Sequence, residues 1–317
     1  MTRHALRRIA LAASAVALLG AACGRAAGDP GGGPTTSGGP TTSGAPTTPP
    51  TTAPPGISHP GGANDLIVRI EDTGGFVAPI TILSRLPSFS LYGDGTLITL
   101  GAQTDIYPGP ALPPVLVQHL DEDGIQQVLQ WAKDAGLLDK DATYQDGGVA
   151  DATTTVFTVT ANGDTHVVQA YALGFDTNGS GMSPDEVAAR KALVKFENQM
   201  TNLDKLLPAG SIDQAKPWDP TGLRLYVTDG DPSTGGPHQN PIAWPLSEPL
   251  AQFGDEFAKP GQPGEGSRCG TVTGDDLATL LPDVQKATQI TPWTSDGKTY
   301  GITFVPLLPD ESGCPSP

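Results

Sequence analysis

Ser295 and Lys298 are spaced as in S-x-x-K, a pattern in which a lysine one helical turn away prepares a serine for acyl transfer. Asp296-Gly297 lies between them and reads as a hairpin turn, which denies the pair that geometry. Asn178-Gly179-Ser180-Gly181 lacks the first glycine of a nucleophile elbow. Neither the phosphate-cradling G-x-x-x-x-G-K-[ST] nor a dinucleotide-binding G-x-G-x-x-G after a strand occurs. Asp139, Asp141, Asp146 and Asp151 crowd one segment, and Asp229 and Asp231 another. Oxygen-rich loops of this kind bind Ca²⁺, so Asp139, Asp141 and Asp146 are the metal candidates. Thr143 and Tyr144, however, stand where an EF-hand has an oxygen ligand and its glycine. His119, His166 and His238 lie far apart, with no H-x-x-x-H or C-x-x-C partner. His166 belongs to an alternating run and reads as a half-buried sheet residue. No catalytic residue and no cofactor is assigned.

The best-defined chemistry is at the N-terminus. Arg3, Arg7 and Arg8 precede Ile9–Ala22, which carries no charge, as in an export signal. Those apolar or small residues span about 21 Å as a helix, short of a hydrocarbon core of roughly 30 Å. Leu18-Leu19-Gly20-Ala21-Ala22-Cys23 resembles the lipobox of bacterial lipoproteins, with Gly20 departing from the usual branched residue. The resemblance implies a signal at 1–22, lipid on Cys23, and a protein held at the outer face of the cell membrane. An ordinary secretory signal with an incidental cysteine is the alternative.

From Gly24 to Gly62 the chain is almost wholly Gly, Pro, Thr, Ser and Ala, with GPTTSG at 33–38 and again at 39–44. Ile57 is its only large aliphatic residue. Such a stretch cannot offset its ordering entropy, so residues 23–62 are expected to form a disordered tether that reaches about 120 Å at 3.1 Å per residue. Residues 1–22 hold three of the 18 Lys and Arg and none of the 34 Asp and Glu, so their removal takes the formal charge from −16 to −19. Nucleic acid is thereby disfavoured as a partner.

With Cys23 given to lipid, Cys269 and Cys314 remain as an even pair outside the membrane, where disulfides persist. Free thiols or a metal pair are the alternatives. Trp131 sits beside the apolar face of a helix and reads as core. Trp218 and Trp244 lie in proline-containing loops, which either pack over a sheet or form a recognition surface.

These residues must be positioned by the roughly 255 residues after Gly62, and their apolar periodicity reads as α+β. Strands are expected at 66–70, 80–83, 89–92 and 97–100, the last two closed by Gly93-Asp94-Gly95. A strand at 115–117 runs into a helix capped by Asp121, whose face is Ile125, Val128, Leu129 and Ala132 and whose end is Gly136. Residues 153–160 and 166–172 flank Asn162-Gly163, a strong hairpin signal. Ser183-Pro184-Asp185-Glu186 opens a helix expected to reach Leu206, with Ala192, Phe196, Met200, Leu203 and Leu207 as its stripe. Pro208–Pro220 reads as a linker, 223–227 as a strand, and 229–240 and 254–268 as loops. A helix at 275–288, bent by Pro282, precedes a hairpin of 290–294 and 300–305. The expectation is mixed or antiparallel sheets built from hairpins with about three helices. A strand–helix–hairpin unit occurs twice, at 115–172 and 223–305, giving lobes at 63–207 and 208–317.

Arg85–Gly95, Ile106–Pro113 and Pro306–Glu311 followed by Cys314 resemble an uncharacterised family of actinobacterial secreted lipoproteins. The resemblance implies the address and the cysteine pair, and brings no catalytic or binding residue with it. Together these observations point to a membrane-anchored, non-enzymatic protein that binds an envelope protein or ligand. The alternative is an enzyme, such as an envelope-polymer hydrolase, whose scattered acids leave no spacing to read.

Overall fold

A computed structural model describes residues 56–145, 148–175, 181–257 and 265–315. The signal, Cys23 and most of the expected tether lie outside the described residues, as do Asp146 and Asn178–Ser180. Residues 54–317 group as one compact unit, and the fold is α+β with largely antiparallel sheets.

The first half of the body contributes β1 (Leu66–Gly74), α1 (Pro79–Leu83), β2 (Phe89–Tyr92), β3 (Thr96–Leu100), β4 (Val115–His119), α2 (Glu122–Asp134), β5 (Ala142–Tyr144), β6 (Thr153–Ala161), β7 (Asp164–Tyr171), α3 (Pro184–Met200), α4 (Leu203–Leu206) and β8 (Lys216–Pro217). Its eight-stranded sheet runs β5-β7-β6-β1-β2-β3-β4-β8. Only β5 and β7 pair in parallel. Asn162 and Gly163, at φ 55 and 89, turn β6 into β7. Asp121 caps α2 by accepting from Gly124 N at 2.8 Å, and Ser183 caps α3 by accepting from Glu186 N at 3.2 Å. Helices α2 and α3 bury Ile125, Val128, Leu129, Leu193 and Phe196 against Ile67, Ile70, Phe157 and Val168 of the sheet.

Several expectations are corrected here. Ile80–Leu83 is not a strand: Pro79 opens helix α1, and Ile80 and Leu83, three apart, pack together on one cluster. Helix α3 stops at Met200 instead of Leu206, because Thr201 Oγ1 and Asn202 Nδ2 both donate to Asn198 O and divert it from the helical ladder. Its buried stripe is Arg190, Leu193, Phe196 and Met200, with Ala192 outside it. The presumed tether ends early: Ile57 packs against the first core, its backbone exchanges hydrogen bonds with the Gln126 side chain, and Ser58 O accepts from Asn162 N at 2.7 Å. The segment 208–220 follows β4, with Asp213 and Trp218 N bonded to His119 O and Val115 O, so that it edges the first sheet.

The second half contributes β9 (Gly222–Asp229), β10 (Ile242–Ala243), β11 (Asp255–Glu256), β12 (Ser267–Thr273), α5 (Gly274–Val284), β13 (Trp293–Ser295) and β14 (Lys298–Pro306). These strands lie in the order β10-β13-β14-β9-β12-β11. Strand β12, whose first two residues fall in the loop expected at 254–268, pairs with β9 over its whole length. Helix α5 ends at Val284, four residues before the expected Thr288. The expected strand–helix–hairpin order is interrupted in both sheets, by β5 after α2 and by β10, β11 and β12 between β9 and α5, and the two hairpins are wired differently. The first hairpin joins β1 through its leading arm β6, whereas the second joins β9 through its trailing arm β14.

Side-chain alternation along β9 places Leu223, Leu225 and Val227 toward α5 and leaves Arg224 and Tyr226 on the opposite face. That face meets the first sheet: Tyr92, Ile98 and Val115 pack with Tyr226, Cys269 and Val305 in a shared cluster. The layers are therefore helices, sheet, sheet, helix. Cys269 and Cys314 are disulfide-bonded, with Cα atoms 6.1 Å apart, and tie β12 to the C-terminal segment.

Candidate ligand-binding cleft

Five segments converge where the two sheets meet: Ala63 and Asn64 before β1, the β2–β3 turn, residues 218–222 leading into β9, the end of β12, and the C-terminal run 307–313. Their geometry follows from the chain. Asp94 Oδ1 accepts from Thr96 N at 2.9 Å and closes the turn. Gly95 sits at φ +89, where any Cβ would collide with Leu120 O. Between these segments lies an open cleft of about 550 Å³, within the size range of small-molecule sites. Trp218 stands in its wall, half-buried and partly packed on the shared cluster.

The C-terminal wall is held by two arginines. Arg224 Nε donates to Gly313 O at 2.9 Å and Arg224 Nη2 lies 3.5 Å from Glu311 Oε2, which also accepts from Leu308 N at 3.1 Å. Arg69 Nη2 donates to Asp310 Oδ1 at 2.7 Å and to the Tyr92 hydroxyl at 3.1 Å, while Tyr92 donates to the same Asp310 oxygen at 2.8 Å. Burial alone would lower the Arg69 guanidinium, but the hydrogen bond and charge of Asp310 outweigh it and hold it above its ordinary value. Burial drives the Tyr92 phenol well above its usual range, with Arg69 opposing and Asp310 reinforcing. Burial likewise raises the Tyr226 hydroxyl and the Glu71 carboxyl. These displaced groups belong to the seam behind the cleft and do not line it.

Of the two tryptophans whose loops either pack over a sheet or form a recognition surface, only Trp218 reaches the cleft. Trp244 is 9% exposed, stacks edge-on against Phe253 and Trp293, and donates its indole N–H to Glu248 O. The exposed aromatics Phe76, Tyr107 and Phe175 lie on loops away from the cleft lining. Asp141 accepts from Val167 N and stands 3.7 Å from His166 Nδ1, an edge contact of β7. Asp139 lies beyond the end of α2, and among the described residues no three His, Cys, Asp or Glu gather as a metal site. His119 N donates to Asp213, and His238 is bonded locally to Gln239 O. Ser295 and Lys298 face each other across a hairpin, with Ser295 Oγ accepting from Leu250 N.

Sequence reasoning singled out neither Asp94, Glu311, Arg69 nor Tyr92. Residues 85–95 and 306–311 meet here, Tyr92 touching Asp310 and both Asp94 and Glu311 lining the cleft. Among the described residues no helix is long and apolar enough to cross a membrane. In comparisons with known proteins, the chain matches no family model, no curated protein and no solved structure.

Proposed function

We propose that this protein is a lipoprotein anchored by Cys23 at the outer face of the cell membrane, and that its body binds a ligand in the inter-sheet cleft without transforming it. The anchor is supported by the basic and apolar runs before Leu18–Cys23. The binding reading is carried by one observation: each of the two carboxylates of the cleft has one oxygen held in a structural role, Asp94 Oδ1 by its own turn and Glu311 Oε2 by Leu308 N and Arg224, which leaves neither as a mobile proton carrier. A hydrolase works with a carboxyl that gives a proton and a second that attacks or activates water, and here one of the pair, Glu311, is already charge-paired with Arg224.

The anchor is tested with Cys23→Ala, which abolishes partitioning into the detergent phase; unchanged partitioning overturns it. The cleft is tested by placing a photocrosslinking residue at Thr273, inside it, and at Lys191, exposed on α3, in intact cells. Specific adducts from position 273 alone support the reading. Equal labelling or none from position 273 overturns it.

A further inference from the structure

We infer that the ligand of the cleft is a neutral, polyhydroxylated molecule, a saccharide, with the Trp218 indole as its apolar platform. This rests on the cleft being the binding site, and it follows from what lines the cleft. Among the described residues no lysine or arginine contributes to its wall, and the nearby Arg224 is spent on Gly313 O and Glu311. An anionic ligand would meet no basic side chain in the described wall, and a chain of net charge −16 would repel it. A cationic one gains little, because Glu311 is paired with Arg224 and Asp94 stands exposed in solvent, where a lone ion pair contributes about 0–1 kcal/mol.

What remains is a largely apolar wall, formed by Ala63, Leu307, Leu308 and Pro309 beside Trp218, set with hydroxyls and an amide. Thr96, Thr271 and Thr273 each donate one hydrogen bond and accept others, and Asn64 does both through separate atoms. Sugar hydroxyls have the same dual character. The free oxygens of Asp94 and Glu311 add acceptors, which again suit O–H donors. The indole of Trp218 offers a flat apolar surface for the C–H face of a pyranose ring. Because the cleft is open, a chain longer than one residue can lie along it.

The test uses residues 23–317 with Cys23→Ala, ¹⁵N-labelled, titrated with neutral gluco-, manno- and N-acetylglucosamine hexasaccharides, with hexalysine, and with hexametaphosphate. The expected result is that at least one saccharide shifts the Trp218 indole resonance and the amides of Thr96 and Thr273. Trp218→Ala then weakens that binding tenfold or more. Since Trp218 also packs on the shared cluster, Thr273→Lys at an exposed position is the second variant, and it abolishes binding while leaving the spectrum elsewhere unchanged. If hexalysine or hexametaphosphate shifts these resonances and the saccharides do not, the ligand class is overturned while the cleft reading stands. If no probe shifts them, the saccharide inference falls, and the crosslinking from position 273 decides separately whether the cleft reading falls with it.

Discussion

The guanidinium of Arg69 and the carboxylate of Asp310 meet at 2.7 Å across 241 residues of chain. One belongs to a central strand of the first sheet, the other to the segment that follows the last strand of the second. Their side chains are 13% and 21% exposed, so the pair is better shielded than an ordinary surface bridge. Asp310→Ala removes the shared acceptor of Arg69 and Tyr92 and leaves a guanidinium short of its counter-charge. The expected loss is about 2–3 kcal/mol, read from urea unfolding. Tyr92→Phe, which removes only the neutral donor, should cost about 1 kcal/mol. Equal losses for the two variants would show that Arg69 does not depend on Asp310.

The same C-terminal segment is covalently held by Cys269–Cys314, which closes a separation of 45 residues. Loop closure of that length contributes about 4 kcal/mol in the chain-entropy model. The Cys269→Ala/Cys314→Ala double variant should lose most of this. It should also raise hydrogen exchange in residues 307–313 more than in β6 and β7, since only the former depend on the staple. Uniform acceleration over the whole body would instead mean that the bond supports global stability alone.

Glu71 lies two residues beyond Arg69 on β1 and faces the same seam. Burial raises its carboxyl above the ordinary 4.5, Glu311 and Asp310 push the same way, and Arg69 opposes them. A raised carboxyl pKa means that the folded state holds the proton more tightly than the unfolded chain does. Stability therefore falls as pH rises from about 4.5 through the folded value. Glu71→Gln should melt higher than the parent at pH 7, with the two curves converging below pH 4.5. Melting profiles that stay parallel across this range would contradict the assignment.

The parts of this fold that announce themselves in sequence are those whose local chemistry agrees with their final place. Asn162-Gly163 accepts positive φ at both positions, and Asp121 and Ser183 satisfy exposed helical N–H groups. Strand β12 does not announce itself, because Ser-Arg-Cys-Gly-Thr-Val-Thr has few large apolar residues and a central glycine. It is a strand because β9 pairs with it throughout and because Phe253 lies where a Cβ at Gly270 would be. The cleft is hidden for a related reason. Asp94, Trp218, Thr273 and Glu311 are separated by long stretches of chain and converge only when the two sheets stack.

Ile57 is the sharpest case of a residue whose role composition conceals. It sits in a stretch without other large aliphatics, yet its side chain packs on the first core. Its N–H donates to Gln126 Oε1 at 2.8 Å, and its carbonyl accepts from Gln126 Nε2 at 2.9 Å. The amide thus bonds to a backbone segment as a neighbouring strand would, and fixes where the body begins. Gln126→Ala should cost about 1–2 kcal/mol through the two lost bonds, and Ile57→Ala a similar amount through lost apolar burial. Because both act on one contact, the double variant should cost clearly less than the sum. Chemical denaturation of the four proteins measures this coupling, and strict additivity would show that the docking of Ile57 does not depend on Gln126.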